Sequence, residues 1–181
     1  LLLQPGLNVN EIDDNGFTAL HVASEEGHST VVDFLLEHPQ IDVNQTTKVD
    51  DSTALHIASQ CGYSDVVSRF LDHEAIDVNK ARTKDRATPL IFAGAFNHAE
   101  VVQELLAHAQ TDVNRLMERG ITALAVACES NNVAVVRTLL ARSEVDVNRA
   151  KDQGDTPLYL ACKSGQSEVV RCLLEEPNID I

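Results

Sequence analysis

Histidine and cysteine are the residues here with the widest chemical repertoire, and the chain holds seven and four of them. His38, His73 and His108 recur at equal intervals of 35 residues. Zinc ligands must converge to about 2 Å from one ion, whereas equivalent side chains on stacked helices are about 8–10 Å apart. We therefore predict no metal site and no cofactor. Near the carboxyl end of a helix, these imidazoles would instead interact favourably with the helix dipole.

The four cysteines lack the spacings that mark a metal or redox site. Cys61, Cys128, Cys162 and Cys172 form no Cys-x-x-Cys pair and suggest no disulfide framework. Cys128 and Cys162 occupy equivalent places in the repeating pattern described below, and we predict both to be small buried residues. This cysteine usage favours a reducing, intracellular compartment, and we expect the cytoplasm.

Catalytic motifs are equally hard to find. No Ser or Cys stands in the context of a nucleophile elbow, and the eight glycines form no phosphate-binding loop. The carboxylates follow helix faces and loops, so no pair is expected to meet in a cleft for acid–base chemistry. We predict that the protein is not an enzyme.

The elements that carry these residues repeat five times. A Thr-(Ala/Pro)-Leu triplet recurs at intervals of 35, 35, 34 and 34 residues, opening at Thr18, Thr53, Thr88, Thr122 and Thr156. From each Thr, Ala follows at +5, a Val-Val pair at +13 and +14, and an apolar pair at +17 and +18. A fixed period of this length is typical of a stacked array whose units bury their apolar faces against one another. The sequence predicts a solenoid.

Two short helices fit each unit. In the first unit the apolar spacing predicts helices at roughly 19–26 and 29–37. The Thr is a natural N-cap, and Pro89 and Pro157 suit the first helical position. Residues able to adopt the left-handed conformation stand at +9 and should end the first helix. They are Gly27, Gly62, Asn97, Asn131 and Gly165.

A polar connector with a recurring x-Asp-Val-Asn run joins the units. Its alternation predicts a short extended segment, and its Asn should begin a turn through local backbone hydrogen bonds. We expect a projecting β-hairpin next, and name as fingers the residues 11–17, 45–52, 80–87, 115–121 and 149–155. The predicted division is the end of a partial repeat at 1–10, followed by repeats 11–44, 45–79, 80–114, 115–148 and 149–181.

These motifs resemble the ankyrin repeat. Residues 13–23 read DDNGFTALHVA, and Gly-His, Val-Val, Leu-Leu and Asp-Val-Asn follow in the expected order. The resemblance covers essentially the whole chain and implies an all-α solenoid of helix-turn-helix repeats. It also implies that His21 and His56 bond backbone of the neighbouring repeat. Fingers two and three depart from the pattern: Asp51 and Arg86 replace the turn Gly, and both fingers run one residue longer.

The charge of the chain limits its partners. The net charge is −14, which disfavours binding to nucleic acid or to anionic membranes because phosphates need compensating cations. Finger three alone is clearly basic, with four cations against Asp85. No run is apolar enough to span a membrane. Leu1–Leu3 look like the end of a helix from an incomplete unit and Ile181 stops inside a connector, so we expect a fragment of a longer array or protein.

The same resemblance implies where partners dock, on a concave strip formed by the finger tips and the outward positions of each first helix. These positions vary from copy to copy, as a tailored surface should. We select the apolar residues in this polar strip as anchors, together with basic residues of fingers three and four. The predicted partner-binding residues are Phe17, Lys84, Arg86, Phe96, Met117, Arg119 and Ile121.

Three functional hypotheses remain open. The first is a monomeric protein-interaction module, a scaffold or adaptor that holds a partner protein in the groove. The second is a regulatory or targeting segment of a larger enzyme, channel or effector. The third, implied by the resemblance, is hydroxylation of the connector asparagines, whose acceptors would be Asn44, Asn79, Asn114 and Asn148.

Overall fold

A computed structural model describes residues 8–180 and shows ten α-helices in that range. Leu1–Leu3 and Ile181, on which two of the expectations fall, lie outside the described residues. A 3-10 turn lies at Glu118–Gly120. The helices are α1 Ala19–Glu25, α2 Ser29–Leu36, α3 Ala54–Cys61, α4 Ser64–Leu71, α5 Pro89–Ala95, α6 Ala99–Ala107, α7 Ala123–Glu129, α8 Val133–Leu140, α9 Pro157–Lys163 and α10 Ser167–Leu174.

The predicted start and stop signals are confirmed. Each Thr has extended backbone and its hydroxyl accepts the N–H three residues on, at 3.2–3.4 Å. Capping of this kind satisfies a donor that the first helical turn leaves without a partner. The five residues at +9 all adopt positive φ, between 58° and 82°. Gly and Asn tolerate this conformation, which lets the chain reverse into the second helix.

The helices form two rows. The first helices of the pairs pack in the order α1, α3, α5, α7, α9, and the second helices in the order α2, α4, α6, α8, α10. Each pair also packs on itself, so the core is continuous along both rows. This arrangement confirms the all-α solenoid.

Burial at equivalent positions shows how far each pair depends on its neighbours. Val31 is 45% exposed, whereas its four equivalents in the later pairs are fully buried against the preceding pair. At the other end, Tyr159 is 51% exposed although the equivalent His21 and His56 are buried. The prediction that Cys162 is buried is wrong for the same reason, while Cys128 is buried as predicted. An apolar face here is covered only by another repeat.

The fingers differ from the prediction. The described residues contain no β-strand and one isolated antiparallel bridge, between Thr46 and Thr53, so β-hairpins are not confirmed. Each finger is a tight turn whose two ends are joined by a backbone hydrogen bond of 2.9–3.1 Å. That bond spans five residues in fingers two and three and four in the others, as their extra residue requires. Asp51 and Arg86 adopt φ of 59° and 60° in place of the turn Gly.

The connector asparagines join repeats instead of beginning local turns, which corrects the predicted role. Asn79 donates from Nδ2 to the carbonyl of Gln110 at 2.6 Å, and its Oδ1 accepts the N–H of Asp112 at 2.8 Å. The same pair of bonds recurs at every connector. The local turn is made by the preceding Asp, whose carboxylate accepts the Asn N–H. The bridging residues are Asn10, Asn44, Asn79, Asn114 and Asn148.

Two buried histidines make the second polar link between repeats, as the resemblance implied. Nδ1 of His56 accepts the N–H of Thr53 at 3.1 Å, so its Nε2–H donates to the carbonyl of Ala87 at 3.2 Å. His21 makes the same contacts with Thr18 and Ser52. Burial lowers the pKa of His56 to about 4 and also lowers the pKa of His21. Both rings are held neutral because one nitrogen must accept and the other must donate.

Stability should therefore fall between pH 6.5 and pH 4. The unfolded chain takes up a proton at His56 near pH 6.5, whereas the folded chain resists it down to about pH 4. This contribution is fully present above pH 6.5 and is lost as the pH falls, by roughly 3 kcal/mol in total. Urea unfolding of His56→Ala should show a smaller loss over this range than wild type. An unchanged pH slope would contradict the assignment, and the exposed His28→Ala serves as control.

Removing one asparagine bridge should weaken the stack. Asn79→Ala deletes two inter-repeat hydrogen bonds, and we expect unfolding free energy to drop by about 1–2 kcal/mol in chemical denaturation. Gln110→Ala is the matched control, because Gln110 contributes only its backbone carbonyl to the bridge. Equal destabilisation by both variants would show that the bridge is not responsible.

Candidate functional site

An apolar groove opens between fingers three and four, with a volume of about 230 Å³. Helix α5 contributes one wall, and Met117, Ile121 and Val126 contribute the facing wall. Phe96 caps α5 and remains 50% exposed. Aromatic groups left exposed beside a concave apolar surface are frequent anchors for partners. The groove is lined by Arg82, Asp85, Ala87, Ile91, Phe92, Ala95, Phe96, Met117, Ile121 and Val126.

Two phenylalanines build the aromatic wall of this apolar groove. Phe92 and Phe96 are four residues apart on one helical face, and their rings stack with centroids 6.3 Å apart and planes 12° apart. The ring of His56 meets Phe92 edge-on at 5.8 Å. Phe92 is therefore held from behind by the buried histidine of the preceding repeat, while Phe96 faces solvent.

Arg82 organises the polar edge of the groove. Its guanidinium lies 4.7 Å from the centre of the Phe92 ring, a cation–π contact. Nη1 donates to Asp50 of finger two at 2.7 Å, and the other side of the fork binds Asp85 of its own finger. The side chain of Arg82 thus links fingers two and three, and its guanidinium lies at the edge of the apolar groove.

The surrounding carboxylates are held ionised by this arrangement. Hydrogen bonding from Arg82 lowers the pKa of Asp85 and raises that of Arg82. Partial burial pushes the pKa of Asp50 upward, but hydrogen bonds from Thr47 and Ser52 and the charge of Arg82 outweigh it and lower that pKa. The charge of Arg82 is consequently neutralised by these two carboxylates, and we do not expect Arg82 to bind an anionic ligand.

A second groove adjoins the first, with a volume of about 380 Å³ between fingers four and five. Ile121 lines both, so the two form neighbouring compartments. This polar groove is lined by Arg119, Ile121, Glu129, Lys151, Asp152 and Gln153. Lys151 lies 3.5 Å from Asp155 and 3.9 Å from Glu129, whereas Arg119 makes no ion pair within the described residues.

The structure brings together most of the predicted binding residues. Phe96, Met117 and Ile121 line the apolar groove. Lys84 and Arg86 are exposed on either side of Asp85, which lines it, and Arg119 lies in the polar groove. Phe17 lies apart, in finger one, half-buried with its ring 5.7 Å from that of His21. Their roles in binding stay predictions.

Sequence reasoning missed Arg82 and Phe92 as parts of this surface. Phe92 could have been found, because it precedes Phe96 by four residues and so shares its helical face. Arg82 gave no such signal, since its role depends on Asp50 in the preceding finger. The four asparagines predicted as hydroxylation acceptors lie in the inter-repeat bridges, and that modification stays a prediction.

Two other kinds of site are absent from the described residues. Nowhere in 8–180 do three or more His, Cys, Asp or Glu side chains group in a way that could hold a metal ion. Within that range, no helix has the length and apolar character needed to cross a membrane.

Comparison with known families agrees with this architecture. The family described as ankyrin repeats (3 copies) matches residues 1–47, 41–117 and 108–181. The fold defines a helical repeat protein, and the chain belongs to the ankyrin repeat family. Ankyrin repeats are generally non-catalytic modules for protein–protein interaction. A search of curated proteins finds no match to the chain.

Replacing Arg82 should loosen fingers two and three. In Arg82→Met, Asp50 and Asp85 lose their shared cation, and we expect a loss of about 1–3 kcal/mol of stability in chemical denaturation. Lys84→Met is the control, since Lys84 is exposed and makes no ion pair in the described residues. It should stay within about 0.5 kcal/mol of wild type. Equal stability of the two variants would show that Arg82 does not stabilise the contact between fingers two and three.

Proposed function

We propose that this protein is a non-catalytic scaffold or adaptor that binds a partner protein in the apolar groove and along the adjoining fingers. The half-exposed Phe96, stacked on Phe92 and facing an apolar wall from the next repeat, is the observation that supports this most directly. An exposed aromatic ring held by its neighbours loses little conformational freedom on binding. It can therefore bury apolar area against a partner at small entropic cost.

The position of the groove suits a protein partner. It lies at the middle of the array, and a standard footprint of about 800 Å² per partner would extend over several repeats on either side. Such a footprint would meet the basic finger three, the mixed charges of the polar groove and the ends of the first helices. Those positions differ from repeat to repeat, whereas the buried positions are nearly constant. Differences between repeats at these exposed positions are what a recognition surface requires, and they support a recognition role.

A photo-crosslinking experiment can locate the partner. A benzophenone amino acid at Lys84 should crosslink a protein, while the same group at Gln103, exposed on α6 in the other row of helices, should not. The crosslinked protein should then be purified, and calorimetry should compare its affinity for wild type with its affinity for Phe96→Ala/Arg86→Ala. We expect at least a tenfold loss, typical when an interface anchor is truncated.

The chain offers a matched control for this variant. Phe34 is 55% exposed on α2, and Arg69 on α4 forms a surface ion pair with Asp33 at 3.3 Å. Phe34→Ala/Arg69→Ala removes the same two residue types from the second-helix row and should leave affinity unchanged. Retention of full affinity by the groove variant, or loss in the control, would overturn the proposal. Circular dichroism should show equal helicity in both.

A further inference from the structure

The charges and lining of the apolar groove indicate what kind of partner segment it accepts, an inference that rests on the proposed function. We infer that the groove binds an acidic peptide segment carrying one bulky apolar side chain, with that side chain in the groove and its carboxylates on Lys84, Arg86 and Arg119. Three observations lead to this partner: the lining of the groove, the cations beside it and the conformation of Arg86.

The lining of the groove requires an apolar guest. Its walls are aromatic and aliphatic, and its two charged members, Arg82 and Asp85, bind each other. A polar side chain entering the groove would give up hydrogen bonds to water and find no free partner, which costs a few kcal/mol. Leu, Met or Phe would lose nothing comparable and would gain contact with Phe96 and Met117.

The cations beside the groove require acidic neighbours. Lys84, Arg86 and Arg119 are exposed and make no ion pair within the described residues. The ends of the first helices in repeats 2 and 3 are uncharged at Gln60, Cys61, Ala95 and Phe96, whereas Glu25 and Glu26 occupy the equivalent places in repeat 1. Finger three is therefore a locally positive surface on a chain of net charge −14.

The surface around Arg119 carries charges of both signs. Glu118 and Asp152 are exposed beside it, and Glu129 faces Lys151. Lys84 and Arg86 flank Asp85 of the apolar groove and make no ion pair in the described residues. Two acidic residues also lie against finger three, since Asp51 accepts a hydrogen bond from Thr83 and the N–H of Glu118 donates to the carbonyl of Asp85 at 2.7 Å. Carboxylates of the guest should lie mainly on the Lys84 and Arg86 side of its apolar anchor, with a further contact to Arg119.

The backbone of Arg86 adds an independent indication. It adopts φ 60°, at a position where fingers one, four and five have Gly16, Gly120 and Gly154. Asp51 of finger two adopts φ 59° at the same place, but its carboxylate accepts a hydrogen bond from Thr83. A left-handed conformation costs a residue with a side chain roughly 1–2 kcal/mol. Arg86 makes no ion pair in the described part of the chain, so its guanidinium stabilises no neighbour that would offset this cost. A contact with a ligand would account for Arg at this place.

Selection from a random peptide library measures this preference directly. A library of 12-residue peptides displayed on phage should be panned on the immobilised protein. We expect enrichment of Leu, Met or Phe flanked by Asp and Glu. A fluorescein-labelled synthetic copy of the enriched peptide then reports affinity by anisotropy. Its Kd should rise about fivefold or more between 50 and 300 mM NaCl, because salt screens exposed charge pairs.

Three variants separate the parts of the site. Phe96→Ala should weaken peptide binding at least tenfold, because it removes the apolar contact. Lys84→Glu/Arg86→Glu/Arg119→Glu should weaken it by a similar factor and should select basic peptides from the same library. Arg86→Gly should bind the peptide several-fold more weakly. Its stability should be unchanged or higher, since Gly adopts a positive φ without steric cost.

The matched control changes the same net charge elsewhere. Lys48, Arg149 and Lys163 are exposed and make no ion pair in the described residues. Their joint replacement by Glu should leave peptide affinity within about twofold at 150 mM NaCl, where exposed charges beyond about 8 Å are screened. An equal loss in this control would show an effect of overall charge and would overturn the inference.

The remaining outcomes distinguish failure of the inference from failure of the proposed function. Enrichment of basic or uncharged polar peptides that still depend on Phe96 would overturn the inference and leave the proposed function standing. Enriched peptides that ignore both Phe96 and the three cations would overturn both. A labelled oligouridylate that binds wild type and loses binding in the triple Glu variant would assign the cations to RNA, and would also overturn the inference.

Discussion

Every part of this protein depends on the contact between neighbouring repeats. A single helix pair has two apolar faces and can cover neither alone, as the half-exposed Val31 and Tyr159 at the two ends show. The polar bonds follow the same rule. Each connector Asn binds the backbone of the next repeat, and His21 and His56 donate to carbonyls of the next finger. Stacking thus satisfies the apolar and the polar groups of a repeat together.

The apolar groove is a consequence of this stacking. No single repeat contains it, because Phe92 lies in α5 and Phe96 caps that helix, while Met117 and Ile121 come from the following finger. Arg82 connects this surface to finger two, and His56 supports it from α3. Disturbance of the stack at repeat 2 should therefore reach the groove through these two side chains. The shape of the groove and the stability of the stack therefore depend on the same contacts.

Charge is distributed so that the fold and the surface use different residues. Arg82 has a structural role, since Asp50 and Asp85 neutralise its charge and its guanidinium lies over the Phe92 ring. Lys84 and Arg86, its neighbours in the same finger, make no ion pair in the described residues and remain available for a partner. An overall acidic chain can therefore present a local positive surface beside its apolar groove.

The sequence alone determined the local features of the fold. Thr capping and the left-handed residues at +9 depend on a few adjacent residues, so their chemistry could be read directly from the repeated pattern. The family resemblance selected Phe96, Met117 and Ile121 as binding residues, and all three line the apolar groove. Tertiary structure decided the rest: Asn79 bridges repeats, Arg82 joins two fingers and Cys162 is exposed. These outcomes depend on contacts between residues about 30 positions apart, or on whether a neighbouring repeat is present to make them.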